Sequence, residues 1–336
     1  MLDDRKAAIL HAVVEEYIDT AVPVGSGHLS RSAGIDVSPA TIRNEMSALE
    51  RDGYLAQPHT SAGRVPTEKG YRFFVDTLEA PATLKPVQRQ QVRSFFARAH
   101  GELEQMLAET SRLLSNLTEH TAVVVRPGHD RATVRSVQLV PLAPRVVLLV
   151  VVLSNGTVEK RTLEFPGELG PERVAAASAH LGALLAGLTL TSVSASRVVT
   201  TVGDLATDEI IDAAYAALHP GHDDEAEQVF VGGAARMAQA FDAVQTVRRV
   251  LELLEHQLVV VSLLHDVIDR GLSVAIGTET GLEPLAECAV VVSPYEVDGE
   301  LVGTIGVLGP ARMNYPQALA AVATVSQRLG RRLREG

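Results

Sequence analysis

Residues 38–76 read SPATIRNEMSALERDGYLAQPHTSAGRVPTEKGYRFFVD, and their reading decides how the first part of the chain folds. Ser38 can cap a helix whose first position is Pro39, where a missing N–H costs nothing. Ile42, Met46 and Leu49 then fall on one narrow arc, so that arc faces a core, and Gly53 closes the helix. The segments YLAQP (54–58) and VPT (65–67) read as two short strands around a tip, HTSAGR (59–64). Thr67 caps a further helix that runs through Tyr71, Phe74 and Leu78.

Upstream, Ile9, Leu10, Val13, Val14, Tyr17 and Ile18 recur at spacings of three and four, which predicts an amphipathic helix over 4–20. AVPVGSG supplies a loop, and HLSRSAG forms a short second helix ended by Gly34. Three helices, a strand, a tip and a second strand follow in the order of a winged helix-turn-helix, here residues 1–80. With the inward arc fixed, the outward face of the third helix presents Ala40, Asn44, Ser47 and Arg51, with Thr41 and Arg43 at its sides. Small side chains let a helix sit deep in the DNA major groove, where Asn can pair with adenine and Arg with guanine or a phosphate. Arg43, Asn44 and Ser47 are therefore expected at or near base edges, while Thr41, Arg51, Arg64 and Lys69 are expected mainly on phosphates. At the tip Gly63 is read as a tight turn, Arg64 as a phosphate or minor-groove contact, and His59, Thr60 and Ser61 as short donors. The plain alternative for Arg43, Asn44 and Ser47 is a solvated helix face.

Beyond a Pro-bearing boundary at 80–86, the seam Val92, Phe96, Ala99, Leu103, Met106, Thr110, Leu113, Leu117 predicts one long helix from about 87 to 118. Its apolar stripe suits either its own domain's core or a dimer seam. Strands follow over 121–165, including the apolar run VVLLVVVL (146–153), read as a buried strand, and a hairpin at Asn155-Gly156. Helical patterns occupy about 171–187, 207–218 and most of 239–271. Strands return at LSVAIG, AVVVSPYEV and ELVGTIGVLG, the last two joined at Asp298-Gly299, before a final helix over 316–334. An antiparallel sheet split in sequence by helices gives an α+β fold with a helical insertion near 190–270.

A formal charge of −11 over 336 residues argues against general polyanion affinity, since sequence-independent nucleic-acid binding comes from Lys and Arg displacing counterions. DNA binding must then be local. The single cysteine, Cys288, excludes an internal disulfide and a multi-cysteine zinc site, which suits a reducing cytoplasm. The N-terminus lacks the form of a signal peptide, and no apolar run is long enough to cross a membrane. Catalytic constellations are thin. Cys288 reads as core packing, HPGHDDE (219–225) as a solvated loop in preference to a metal site, and the glycines of VFVGG and GTETG match no phosphate loop. The chain is therefore read as a non-enzyme with no cofactor.

The stretch from Gly25 to Asp76, together with VFVGG (229–233) and VSPYEVDGELVGTIGVLGPARMNY (292–315), resembles the heat-inducible transcription repressor family, HrcA. The resemblance implies a winged-helix domain (1–80), a linker and long helix (81–120), a GAF-like domain (121–190 and 271–336) and an inserted dimerisation domain (191–270). It further implies a cytoplasmic homodimer that represses chaperone operons through an inverted-repeat operator of the CIRCE type, with the GroEL chaperonin as a partner. One departure concerns Gly27 and His28, where the family setting would bring a basic residue, so no phosphate contact is expected there. A winged-helix repressor answering to a small metabolite in the GAF-like domain is the other reading of the same residues.

Overall fold

The computed structural model describes residues 2–32, 37–59, 62–78, 83–98, 103–126, 132–154, 158–189, 192, 204–218, 228–241, 244–271, 273–297 and 299–335. The first helix, α1 (Asp4–Thr20), starts where the Asp3 carboxylate accepts the Lys6 N–H and buries Ile9, Leu10, Val13 and Val14. After α2 (Ser26–Ser32), α3 (Pro39–Arg51) begins with Pro39 in its first turn and the Ser38 side chain accepting the Thr41 N–H. Ile42, Met46 and Leu49 are buried as their spacing requires, and Gly53 leaves the helix at a φ of +79°. Strand β1 (Leu55–Ala56) pairs antiparallel with β2 (Val65–Pro66), and Thr67 caps α4 (Glu68–Asp76) through the Gly70 N–H. The predicted order of elements is thus present over this part of the chain, although Gly34, Thr60 and Ser61 lie outside the described residues.

The long helix expected over 87–118 is instead two helices, α5 (Pro86–Arg98) and α6 (Leu103–Thr118), with 99–102 outside the described residues. Its stripe serves the chain's own core: Val92, Phe96, Thr110 and Leu117 are buried. A five-stranded antiparallel sheet follows, in the order β7 (Val229–Gly232), β3 (Thr121–Val125), β10 (Glu300–Pro310), β9 (Cys288–Val297), β8 (Val274–Ile276). Alternate residues divide between two cores. Ala122 and Val124 pack with α6 and the C-terminal helix, whereas Val123 and Val125 pack with the pair of helices Val244–Glu255 and Gln257–Asp269. Both faces are covered, which is why these strands read as continuous apolar runs.

A separate three-stranded antiparallel sheet, β4 (Val134–Ala143), β5 (Val146–Leu153) and β6 (Val158–Glu164), carries α7 (Pro171–Leu185) and α8 (Leu205–Ala217) on one face. Its hydrophobic cluster spans Ala132 to Leu218 and is distinct from the two around the larger sheet. The sequence division at 191–270 does not follow these cores, since α8 packs with the small sheet while β7 and the two helices after it pack with the large one. As β7, residues Val229–Gly232 of VFVGG supply one edge of the large sheet, with their register set by β3. Asn155, Gly156 and Asp298 lie outside the described residues, and Gly299 has a φ of +86°. After β7 come α9 (Val244–Glu255) and α10 (Gln257–Asp269), and after β10 comes α11 (Tyr315–Glu335).

Candidate nucleic-acid interface

The buried arc of α3 turns Arg43 and Asn44 to the surface, both exposed, with Ser47 half-buried beside them. Ser38 holds the start of the helix, and its hydroxyl lies 2.9 Å from that of Thr41. Thr41 is thereby turned back on the cap, which leaves it an N-terminal position with its hydroxyl already shared. Arg51 is exposed and its guanidinium lies along its own helix, donating at 3.4 Å to the Ser47 carbonyl. Extending it costs only that long bond, so it can reach outward.

The hairpin beside α3 is braced more firmly than its sequence suggests. Val24 and Arg64 exchange backbone hydrogen bonds of 2.8 Å in both directions, adding the loop before α2 to the base of the hairpin. Gly63 is required for this approach: a Cβ there would lie 2.4 Å from the Val24 carbonyl oxygen. Its role is a close backbone crossing, and not the tight turn that the sequence suggested. Gln57 donates to the Ala62 carbonyl at 3.0 Å across the tip, and the exposed His59 accepts the Ala62 N–H at its carbonyl, 2.9 Å away.

Two of the expected phosphate contacts are occupied within the chain. Arg64 donates Nε to Glu50 Oε2 at 2.9 Å, with its side chain only 18% exposed. Lys69 donates to the Asp52 carbonyl at 2.8 Å and stands 4.2 Å above the Tyr54 ring, closing the C-terminal end of α3. Both cations tie the hairpin and α4 to α3, with Lys69 remaining exposed. The parts played by Glu50, Tyr54 and Gln57 carry no periodic signal, because these bonds span the turn after α3 and the hairpin and form only once both are folded. His28 lies 2.9 Å from Glu16 of α1, so it too faces its own domain. The outward residues brought together are Arg43, Asn44, Ser47 and Arg51 on one helix face, with His59 at the adjoining tip.

Other sites are weak by comparison. Cys288 is buried and its thiol is pushed up to about 12 by burial and then by Glu287, which makes it a poor nucleophile. Among the described residues no group of His, Cys, Asp and Glu is placed to hold a metal ion, and HPGHDDE lies outside them. No helix among the described residues is long and apolar enough to cross a membrane.

Residues 104–319 match the family model described as HrcA protein C terminal domain. A heat-inducible transcription repressor HrcA of Acidothermus cellulolyticus is 42% identical over 342 residues, covering 100% of both chains. The repressor of the same name from Streptomyces avermitilis is 38% identical over 340 residues, again across 100% of both. Among solved structures, a crystal structure of a hypothetical protein matches with a TM-score of 0.64 at 23% identity, covering 100% of this chain and 99% of the other, which supports the fold alone. The identity and the coverage together place this chain in the HrcA family of heat-inducible transcription repressors.

Proposed function

We propose that this chain represses chaperone operons by binding, as a homodimer, an inverted-repeat operator of the CIRCE type, and that its first 80 residues act as a winged helix-turn-helix. The observation that carries the reading is the capped helix α3, with Ile42, Met46 and Leu49 buried and Arg43 and Asn44 exposed beside a braced hairpin. Asn44 and Arg43 read base edges, Ser47 lies close enough to contact them, and Arg51 extends to a phosphate. Thr41 and His59 contribute at the helix start and the tip. Arg64 and Lys69 support binding by holding the hairpin in place.

Dimerisation is supported by β5. Val147, Leu149, Val151 and Leu153 are buried, while Val146, Leu148, Val150 and Val152 are only half-buried on the opposite face. Their cross-strand neighbours there include Val140, 39% exposed, and Val158, 44% exposed. A strand apolar on both faces needs cover on both, and a second copy of the small sheet supplies it. We therefore assign residues 132–218 as the dimerising insertion, and the five-stranded sheet with its helices as the GAF-like domain. GroEL as the chaperonin that returns the repressor to its active form follows from family resemblance. The test is operator binding by the full chain: Asn44→Ala should relax discrimination at the base pair it reads while fold and dimer persist, and unchanged discrimination there would remove α3 as the reading helix.

A further inference from the structure

Arg72 leaves the DNA-binding unit altogether. From α4 its Nε donates to Glu279 Oε1 at 2.8 Å, one terminal nitrogen donates to the other carboxylate oxygen of Glu279 and to the Val274 carbonyl at 2.8 Å, and the second terminal nitrogen reaches Asp76 at 3.2 Å. Glu279 is itself held, because the same carboxylate accepts the Ile276 N–H at 2.9 Å. A second leg lies alongside. The Glu68 carboxylate accepts the Thr278 hydroxyl at 2.6 Å and the Thr278 N–H at 3.3 Å.

Both legs end on one turn, Gly277–Thr280, directly after the edge strand β8. Gly277 has a φ of +54°, and a Cβ there would lie 2.1 Å from Glu68 Oε1, so the turn is shaped to admit that carboxylate. Beneath the polar contacts Tyr71 of α4 meets Tyr315 of α11 with ring centroids 6.0 Å apart, both rings buried. At its N-terminal end, on either side of Glu68, α4 is tied to the end of α3: Thr67 donates to the Gly53 carbonyl at 2.7 Å and Lys69 to the Asp52 carbonyl at 2.8 Å. A continuous chain of bonds therefore runs from the end of the candidate reading helix to the edge of the large sheet. A bidentate Arg–carboxylate pair fixes angle as well as distance, which a single lysine contact would not.

We propose that Arg72 and Glu279, seconded by Glu68 and Thr278, form a clamp that sets the orientation of α3 relative to the five-stranded sheet, making Arg72 a positioning residue for half-site geometry. The proposal rests on the DNA-binding reading of α3. In a dimer, two reading helices meet half-sites a fixed number of helical turns apart only if each is held at a fixed angle to the dimer core.

The test uses the full chain with spin labels at Glu15→Cys on α1 and Arg331→Cys on α11, both exposed positions, while the buried Cys288 stays unlabelled. Labelled chain is diluted with unlabelled chain, so that each distance is measured within one protomer. The unaltered clamp should give one narrow distance distribution, and Arg72→Met should broaden it. Gly277→Ala, which displaces Glu68 without touching Arg72, provides the second variant should Arg72→Met fail to fold. In parallel, both proteins are titrated with inverted repeats recovered by footprinting, their spacers altered by roughly five base pairs, about half a helical turn. With the clamp intact, affinity should fall at least about tenfold on that change, and in the variants less than about threefold. A narrow distribution in both variants, or an unchanged spacer dependence, would overturn the clamp. Failure of every protein to bind the repeats would instead count against the DNA-binding reading, and the label distances would still decide whether α3 is held.

Discussion

Arg64 is expected on a phosphate by its place in HTSAGR, yet its guanidinium lies in an ion pair with Glu50 that is largely shielded from water. Holding that carboxylate through Nε fixes the guanidinium against α3 and neutralises part of its charge within the domain. We therefore expect Arg64→Ala to lower the stability of the DNA-binding unit by about 1–2 kcal/mol, between the ranges for exposed and buried pairs, read as an earlier melting transition. Glu50→Gln should produce a similar loss, and the double variant should lose little more than either alone. The slope of binding against salt concentration should stay unchanged in Arg64→Ala. A fall of about one unit would return Arg64 to the phosphate contacts. Asn44 gives the opposite expectation: truncation should cost about 1–3 kcal/mol against the correct operator and nothing in stability, read by competition with single-base variants. The identity of the outward face of α3 was legible because three buried residues fix a helix's rotation. The fate of Arg64 and Lys69 was not, because their partners Glu50 and Asp52 are brought near only by the fold, and a cation's sequence position does not reveal which oxygen it meets.

Among the elements, β5 shows most clearly what hydrophobic pattern conveys and what it conceals. VVLLVVVL predicts a strand buried on both faces, and the strand is present, but α7 and α8 cover only one of them. The sequence contains the demand for a second cover without saying that it lies on another molecule. Leu148→Lys or Val150→Lys should therefore shift the protein toward monomer in sedimentation experiments while leaving the inner face packed, since lysine can carry its charge to water only if the face is open. Retention of the dimer would move the interface elsewhere. The large sheet illustrates the complementary case: its strands were located from the same apolar runs, and helices on both sides complete it within one chain. Its edge β7 has only four residues and little periodic signal, and its pairing with β3 joins residues far apart in sequence. The break between α5 and α6 was not legible for a related reason. Heptad spacing continued across 99–102, and spacing alone does not register where a helix ends.

For the whole molecule, the three hydrophobic clusters divide the chain differently from a division by secondary-structure content, which grouped 191–270 as one helical body. Helices from that segment serve two different sheets, and helical periodicity does not say which core each helix joins. Stability should carry a pH signature from His120, between α6 and β3. Burial, followed by the charges of Arg312 and Arg236, pushes its imidazole down to about 4, and its Nδ1 has no hydrogen-bond partner among the described residues. The native state holds the ring neutral where the unfolded chain would protonate it, so the unfolded state binds more protons between about pH 6.5 and 4. Folding stability should then fall as pH drops through that window, by at most about 1.4 kcal/mol per unit from this group, and His120→Gln should flatten the dependence. An equal slope in the variant would assign the effect to other groups.

An acidic chain with a small, specific reading face should bind little DNA without its operator, and specificity should depend on two copies of α3 acting together. Footprinting of the full chain on the DNA upstream of its own gene addresses this most directly. The expected result is protection of two half-sites related by a two-fold axis, spaced by whole helical turns of about 10–10.5 base pairs and lost in Asn44→Ala. Uniform protection without half-sites, or a pattern that Asn44→Ala leaves intact, would contradict repression through α3.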